Sequence, residues 1–333
     1  MRRLTPAAAM MLALSGTAMA APQVATDIAP VHALAARVMA GVGAPSLIVP
    51  PGASPHGYAL RPSEAAALER ADVVFWVGAA LTPWLEGAID ALAGDAAAVE
   101  LRDAPGVALL PLREGATFAP HEHGGEDDHD QAAEAAAVEH GHEHAAEAAA
   151  HGGDHAHDHA GFDEHLWLDP ENAKAWLNVM AEALSAADPA NAAIYAANAS
   201  AGRAELDALS AEIAATLAPV QGRPFVVFHD AYQYFEARFG VPAAGAVTLS
   251  DATAPSAARV AEIRAVMERL GAACVFAEPQ FSTGVVDVIA EGTGARVGVL
   301  DPLGAALPPG PALYADLLRG LAGAMADCLA PKA

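Results

Sequence analysis

The stretch QVATDIAPVHALAARVMAGVGAPSLIV, residues 23–49, sets the architecture. Gln23 to Ala29 reads as a strand, Val31 to Met39 as a helix with apolar positions at helical spacing, and Ser46 to Val49 as a second strand. This is βαβ rhythm. Pro50-Pro51-Gly52 ends the second strand, Ser63 is placed to cap a helix running through Arg70, and Val73 to Val77 makes a third, buried strand. Pro83 to Leu92 reads as a helix, and Val99 to Leu101 and Val107 to Leu110 as short strands.

The rhythm stops at Gly115 to Ala160, which has no Lys or Arg and no apolar periodicity. Such a segment cannot bury enough apolar surface to offset its ordering entropy, and disorder is expected. Beyond it, Glu171 to Ala187 forms a helix after Pro170, and Ala190 to Leu217 is a long Ala-rich helical run. At 1.5 Å per residue that run of about 28 residues spans about 42 Å, enough to connect two lobes. The alternation then repeats. Strands are expected at Phe225 to Phe228, Ala243 to Leu249, Cys274 to Ala277 and Arg296 to Leu300. Helices are expected at Ala231 to Phe239, Pro255 to Leu270, Gly284 to Glu291 and Leu313 to Leu329. The fold class is α/β, with two lobes: residues 21–188 and 219–333, joined by a helix over 189–218.

Composition narrows the function. The chain has 333 residues, 17 Lys+Arg against 41 Asp+Glu and a net charge of −24. So few scattered cations hardly supply the clustered basic surface that a nucleic acid or an anionic membrane requires. Two Cys are too few for a disulfide-dense scaffold or a thiolate zinc ribbon but enough for one bridge in an oxidising compartment. Arg2 and Arg3, the apolar Ala7 to Leu14, and Ala18-Met19-Ala20 form a signal peptide, cleaved after Ala20. Its apolar part is too short for a membrane span, and no Cys stands near the cleavage site to carry a lipid. A soluble periplasmic protein is expected.

Four histidines lie outside the low-complexity segment: His32, His56, His165 and His229. His56 lies on the loop after Ser46 to Val49, and His229 follows Phe225 to Phe228, at carboxyl strand ends where open α/β sheets bind ligands. Asp301 stands likewise after Arg296 to Leu300, and His165 falls between the insert and a helix, near the lobe junction. Three imidazoles and a carboxylate make a four-coordinate, nitrogen-rich set that suits zinc. Each alone has a plain structural reading, and His32, inside a helical turn, keeps it; Asp301-Pro302 would also serve as a turn or cap.

The insert strengthens the metal reading. It holds His121, His123, His129, His140, His142, His144, His151, His155, His157 and His159, ten of the 14 histidines, interspersed with 11 acidic residues. Imidazole among carboxylates on a flexible backbone suits borderline divalent metals.

The chain resembles the periplasmic zinc-binding proteins of ABC-type zinc importers, the ZnuA type of metal-binding solute-binding protein. The first lobe carries this through Gly52-Ala53-Ser54-Pro55-His56-Gly57-Tyr58 with Leu60-Arg61-Pro62-Ser63, and Glu164-His165-Leu166-Trp167-Leu168. The second lobe adds Phe228-His229-Asp230-Ala231-Tyr232, Phe276-Ala277-Glu278-Pro279-Gln280-Phe281 and Leu300-Asp301-Pro302-Leu303-Gly304. The resemblance implies two α/β lobes joined by a rigid long helix, with Zn²⁺ between them on His56, His165 and His229 and Asp301 as candidate fourth ligand. Some members use a Glu just before the first ligand; Pro55 stands there in this chain, which leaves Asp301 or a water. Manganese-binding relatives tend to carry Glu where His229 stands. The family's auxiliary histidine finds only Ala246 here, so no ordered auxiliary site is carried over. Its cysteine pair matches Cys274 and Cys328.

The expected role is capture of Zn²⁺ and delivery to an inner-membrane permease, without catalysis, by a monomer whose insert collects zinc, with a periplasmic zinc chaperone as a candidate second partner. Binding needs neutral imidazoles, so affinity should fall in mild acid. Glu164 and Asp230 are candidate acceptors for ring N–H groups of the adjacent ligands. The rivals are a zinc buffer or metallochaperone without a transporter, and a zinc hydrolase, against which the chain offers no HExxH or comparable base-bearing motif. An adhesin is disfavoured by the missing anchor cysteine.

Overall fold

The computed structural model describes residues 21–113, 118, 161–248, 255–281 and 284–331. The signal segment and the insert with its ten histidines, His121 to His159, lie outside the described residues.

Two four-stranded parallel sheets carry the molecule. The first contains β1 (Val24–Thr26), β2 (Ser46–Leu47), β3 (Val73–Trp76) and β4 (Ala97–Glu100) in the order β2-β1-β3-β4. The second contains β5 (Phe225–His229), β6 (Gly245–Thr248), β7 (Cys274–Ala277) and β8 (Arg296–Val299) in the order β6-β5-β7-β8. The registers correspond as well: Val24, Val73 and Ala97 lie side by side in one sheet, Phe225, Cys274 and Arg296 in the other. In each, the strand order reverses between the two central strands, which opens a crevice at their carboxyl ends.

Helices α1 (Ala29–Val38), α2 (Pro62–Glu69) and α3 (Pro83–Leu92) connect the first sheet, and α6 (Gln233–Phe239), α7 (Ala257–Leu270) and α8 (Gly284–Ala290) the second. Gly240 and Gly271 close α6 and α7 in the left-handed region, at φ 66° and 59°, where a side chain would be strained. Between the lobes run α4 (Pro170–Ala187), α5 (Ala192–Leu217) and α9 (Leu313–Leu329). The long helix α5 packs on α1, α4 and α9, so elements of both lobes share it. A single apolar core accordingly runs from Val24 and Phe75 through Trp176, Leu206 and Ile213 to Phe225 and Leu318. Two smaller cores cover the outer faces of the sheets.

Trp167 knots this junction. Its buried indole Nε1 donates to the Pro302 carbonyl at 2.7 Å, and its own carbonyl accepts from Tyr314 Oη at 2.7 Å. Arg238 adds a two-armed bond to Asp169, both contacts at 2.8 Å.

The structure corrects several sequence expectations. Ser63 lies inside α2; Arg61 holds the cap position, its amide donating to Glu64 Oε2 at 2.7 Å, and Pro62 opens the helix without needing a donor. Val107 to Leu110 form no strand, because side chains take their amides: Ala108 N donates to Asn172 Oδ1 and Leu110 N to Tyr234 Oη. His229 is the last residue of β5, paired with Thr248, and does not merely follow the strand.

Asp27 fills the first lobe's crevice. Its carboxylate accepts from Ile28 N and Val77 N, both at 2.7 Å, and is wholly buried. Burial pushes this carboxyl up to about 7, against the two backbone donors that favour its charged form. Between the ordinary value of 3.8 and about 7 the folded chain holds a proton that the unfolded chain has released. The stability it contributes is therefore complete below the lower value and is lost as pH rises through the upper one. In denaturant titrations of zinc-free protein between pH 4.5 and 7.5, the unaltered chain should lose stability with rising pH relative to Asp27→Asn, with a slope difference of up to about 1.4 kcal/mol per unit. Parallel curves would refute this role for Asp27.

Candidate metal centre

His56 stands on the loop that leaves β2. Trp84 Nε1 donates to the Pro55 carbonyl at 2.7 Å, Ser54 Oγ accepts from His56 N at 3.3 Å, and Tyr58 Oη donates to Glu64 at 2.8 Å, pinning the loop to α2 and α3. His165 precedes a short 3-10 turn, Leu166–Leu168, whose first carbonyl is held by Asn172 of α4. His229 is fixed by the ladder of β5. Three separate segments thus converge, with ring centroids 6.1 Å apart for His56 and His165, 6.3 Å for His56 and His229, and 4.9 Å for His165 and His229. One nitrogen from each lies within 4.8 Å of the others. His165 and His229 are 4% exposed, so little water competes for them.

Asp301 takes another part. Its Oδ1 accepts from Leu303 N, Gly304 N and Gln280 Nε2, and its Oδ2 from Ala305 N at 2.6 Å; it closes the turn after β8 and is not in the histidine group. Its neighbours Pro302 and Leu303 line the cleft instead, with Trp167 and Phe281. His32 lies apart, its Nε2 3.2 Å from the Pro45 carbonyl.

Each of the three histidines has a carboxylate beside its Nδ1. Asp163 Oδ1 is 2.7 Å from Nδ1 of His165 and also accepts that residue's amide at 2.9 Å, which fixes the ring and leaves Nε2 for the cleft. Glu164 Oε1 is 3.7 Å from Nδ1 of His56, and Glu278 Oε2 3.7 Å from Nδ1 of His229, distances of attraction and not of hydrogen bonding. The sequence reading paired Glu164 with its neighbour His165 and Asp230 with His229. Glu164 instead reaches the other lobe-one ligand, and Asp230 is taken by Arg113. Asp163 was missed, although an Asp two residues ahead of the ligand is the local pattern of an Asx turn. Glu278 carries no local signal of this role, since only sheet order brings the end of β7 beside the end of β5. Asp163, Glu164 and His165 also form a second cluster with ligand spacing.

These carboxylates stand out of water. Burial pushes Asp163 up to about 7, against the His165 amide and the Arg113 charge, and likewise raises Glu164 and, despite Arg113, Asp230. Desolvation is the dominant cause in all three, and a divalent cation in the cleft would oppose it directly. Neutral nitrogens in front and carboxylates behind form an environment built for a borderline metal ion.

The family model described as ZnuA, zinc-uptake complex component A, periplasmic, matches residues 24–328. The high-affinity zinc uptake system protein ZnuA of Brucella abortus (strain 2308) is 46% identical over 340 aligned positions, covering 98% of this chain and 97% of that one. The protein of the same name in Paracoccus denitrificans is 45% identical over 309, covering 92% of each. A crystal structure of ZnuA shares the fold with a TM-score of 0.71 at 24% identity, over 93% of this chain and all (100%) of that one. The periplasmic zinc-binding protein TroA of Treponema pallidum gives 0.69 at 18% identity, over 93% of this chain and 99% of that one. With a family match along nearly all of its length and relatives of this identity and coverage, the chain belongs to the ZnuA family of periplasmic zinc-uptake components.

Proposed function

We propose that this chain captures Zn²⁺ in the periplasm and delivers it to an ABC-type membrane permease for uptake. The family is one of solute-binding transport proteins and not of enzymes. The observation that carries the reading is the convergence of His56, His165 and His229, from three segments and both lobes, on one point. We assign the ion to these three nitrogens. The turn held by Asp301 supports solvent at the fourth position, with Asp301 the alternative ligand through Oδ2, which accepts the Ala305 amide and has a second lone pair.

The chain is exported by a signal peptide cleaved after Ala20 and acts as a monomer on an inner-membrane permease. Lobes 21–188 and 219–333 are joined by a linking helix over 189–218, and the histidine-rich insert gathers zinc by weaker sites, fed by free ion or by a periplasmic zinc chaperone. Among the described residues no helix is long and apolar enough to cross a membrane.

Competitive chelator titration of the mature chain and of a variant lacking residues 115–160 tests this. Both should bind one tight equivalent of Zn²⁺, and the full chain alone should bind further, weaker equivalents. Loss of the tight equivalent with the insert would put the primary site in the wrong place. Failure of the loaded protein to stimulate the ATPase of its reconstituted transporter would favour a periplasmic zinc buffer.

A further inference from the structure

The chain enters and leaves the histidine-rich insert through a short antiparallel contact. Pro111 bridges Phe162, Leu112 N donates to the Gly161 carbonyl at 2.9 Å, and Asp163 N to the Leu110 carbonyl at 2.9 Å. The outgoing root ends on a metal-site histidine, because Asp163 holds His165. The incoming root ends on Arg113, whose guanidinium crosses to the second lobe. Nε donates to Asp230 Oδ2 at 3.1 Å and Nη2 to Asp230 Oδ1; Nη1 donates to Glu236 Oε2 at 2.6 Å and Nη2 to Oε1 at 3.2 Å. The three side chains are only 15%, 7% and 3% exposed. Phe118 lies over the guanidinium at 3.8 Å, with its amide bonded to the Ala244 carbonyl at 3.1 Å.

A buried ion triad is poor evidence for stability, since apolar replacements often serve as well; its attested use is to fix register. Here the register at stake is that of His229, the residue before Asp230, against His165 and His56 on the other lobe. We propose that Arg113 is a positioning residue of the metal cleft: its two-carboxylate fork locks the end of β5 to the first lobe and so sets the spacing of the three histidines. This rests on the zinc-capture reading above.

The sign of the effect separates positioning from charge. Removing a cation from the surroundings of a dication tightens binding by Coulomb attraction alone, whereas loosening the ligand spacing weakens it. In the full chain, Arg113→Met, studied well below its melting temperature, should bind one Zn²⁺ about 10- to 100-fold more weakly, through faster release in a chelator chase. Its Co²⁺ complex should show altered visible bands, a readout of ligand geometry that a merely stabilising residue leaves unchanged. A triple variant, Arg113→Met with Asp230→Asn and Glu236→Gln, leaves no buried charge unmatched and should regain thermal stability without regaining affinity; because it also removes two carboxylates near the ion, its altered Co²⁺ spectrum, and not its affinity, carries the test if the single variant fails to fold. Unchanged or tighter Zn²⁺ binding in Arg113→Met, an unaltered Co²⁺ spectrum, or full recovery of affinity in the triple variant each overturns the proposal. Lack of one tight equivalent in the unaltered chain strikes the capture reading itself, whereas failure confined to the variants strikes only the role of Arg113.

Discussion

Changing His56, His165 and His229 together to alanine should abolish tight, stoichiometric zinc binding while leaving both lobes folded. Structural zinc sites are worth about 10–16 kcal/mol over four ligands, so each imidazole accounts for about 3 kcal/mol, or roughly a hundredfold in affinity. A single replacement therefore leaves a measurable site about a hundredfold weaker, and the triple leaves only what the insert holds. The fold should survive, because the central core runs through Trp176, Leu206 and Phe225 and does not include the three histidines. Competitive titration together with circular dichroism decides the matter. A tight equivalent retained in the folded triple variant would sink the ligand assignment.

The second large effect concerns the bridge between Cys274 of β7 and Cys328 near the end of α9, 54 residues apart in sequence. Closing a loop of that length removes unfolded-state entropy worth about 4 kcal/mol in the chain-entropy model. Replacing both cysteines with alanine should lower the melting temperature by on the order of 10 °C. The loss should concentrate in the second lobe, where Cys274 and Cys328 join the central core. Identical melting of the two proteins in the absence of reductant would show that the bridge adds nothing.

Much of the fold was legible because the strands are short apolar runs between helical periods. Pro83–Leu92, Cys274–Ala277 and Leu313–Leu329 have the bounds that the pattern indicates. The pattern misled where tertiary partners replaced local ones. Val107 to Leu110 form a short apolar run like a buried strand, yet Asn172 and Tyr234 supply hydrogen bonds to Ala108 and Leu110 from far along the chain. At the candidate site, sequence position singles out the three histidines because strand ends and the lobe junction are where such sheets hold ligands. It could not assign their carboxylate partners, since adjacency in sequence says little about side-chain direction. Glu164, next to His165, faces His56, and Asp163 takes His165 instead. Arg113 had no local signal at all, because its partners lie 117 and 123 residues away.

The knot at Trp167 has a mechanical consequence. Any rotation of one lobe against the other turns about the places where the lobes are tied, and the Trp167 indole on the Pro302 carbonyl is such a place. His165 is two residues from it, at most about 7 Å along an extended chain. A ligand on so short a lever arm scarcely travels when the lobes turn. His56, on a loop of the first lobe pinned to α2 and α3, turns together with His165. Small rotations would therefore carry His229, at the end of β5 in the second lobe, away from a fixed pair and open the coordination sphere from that side.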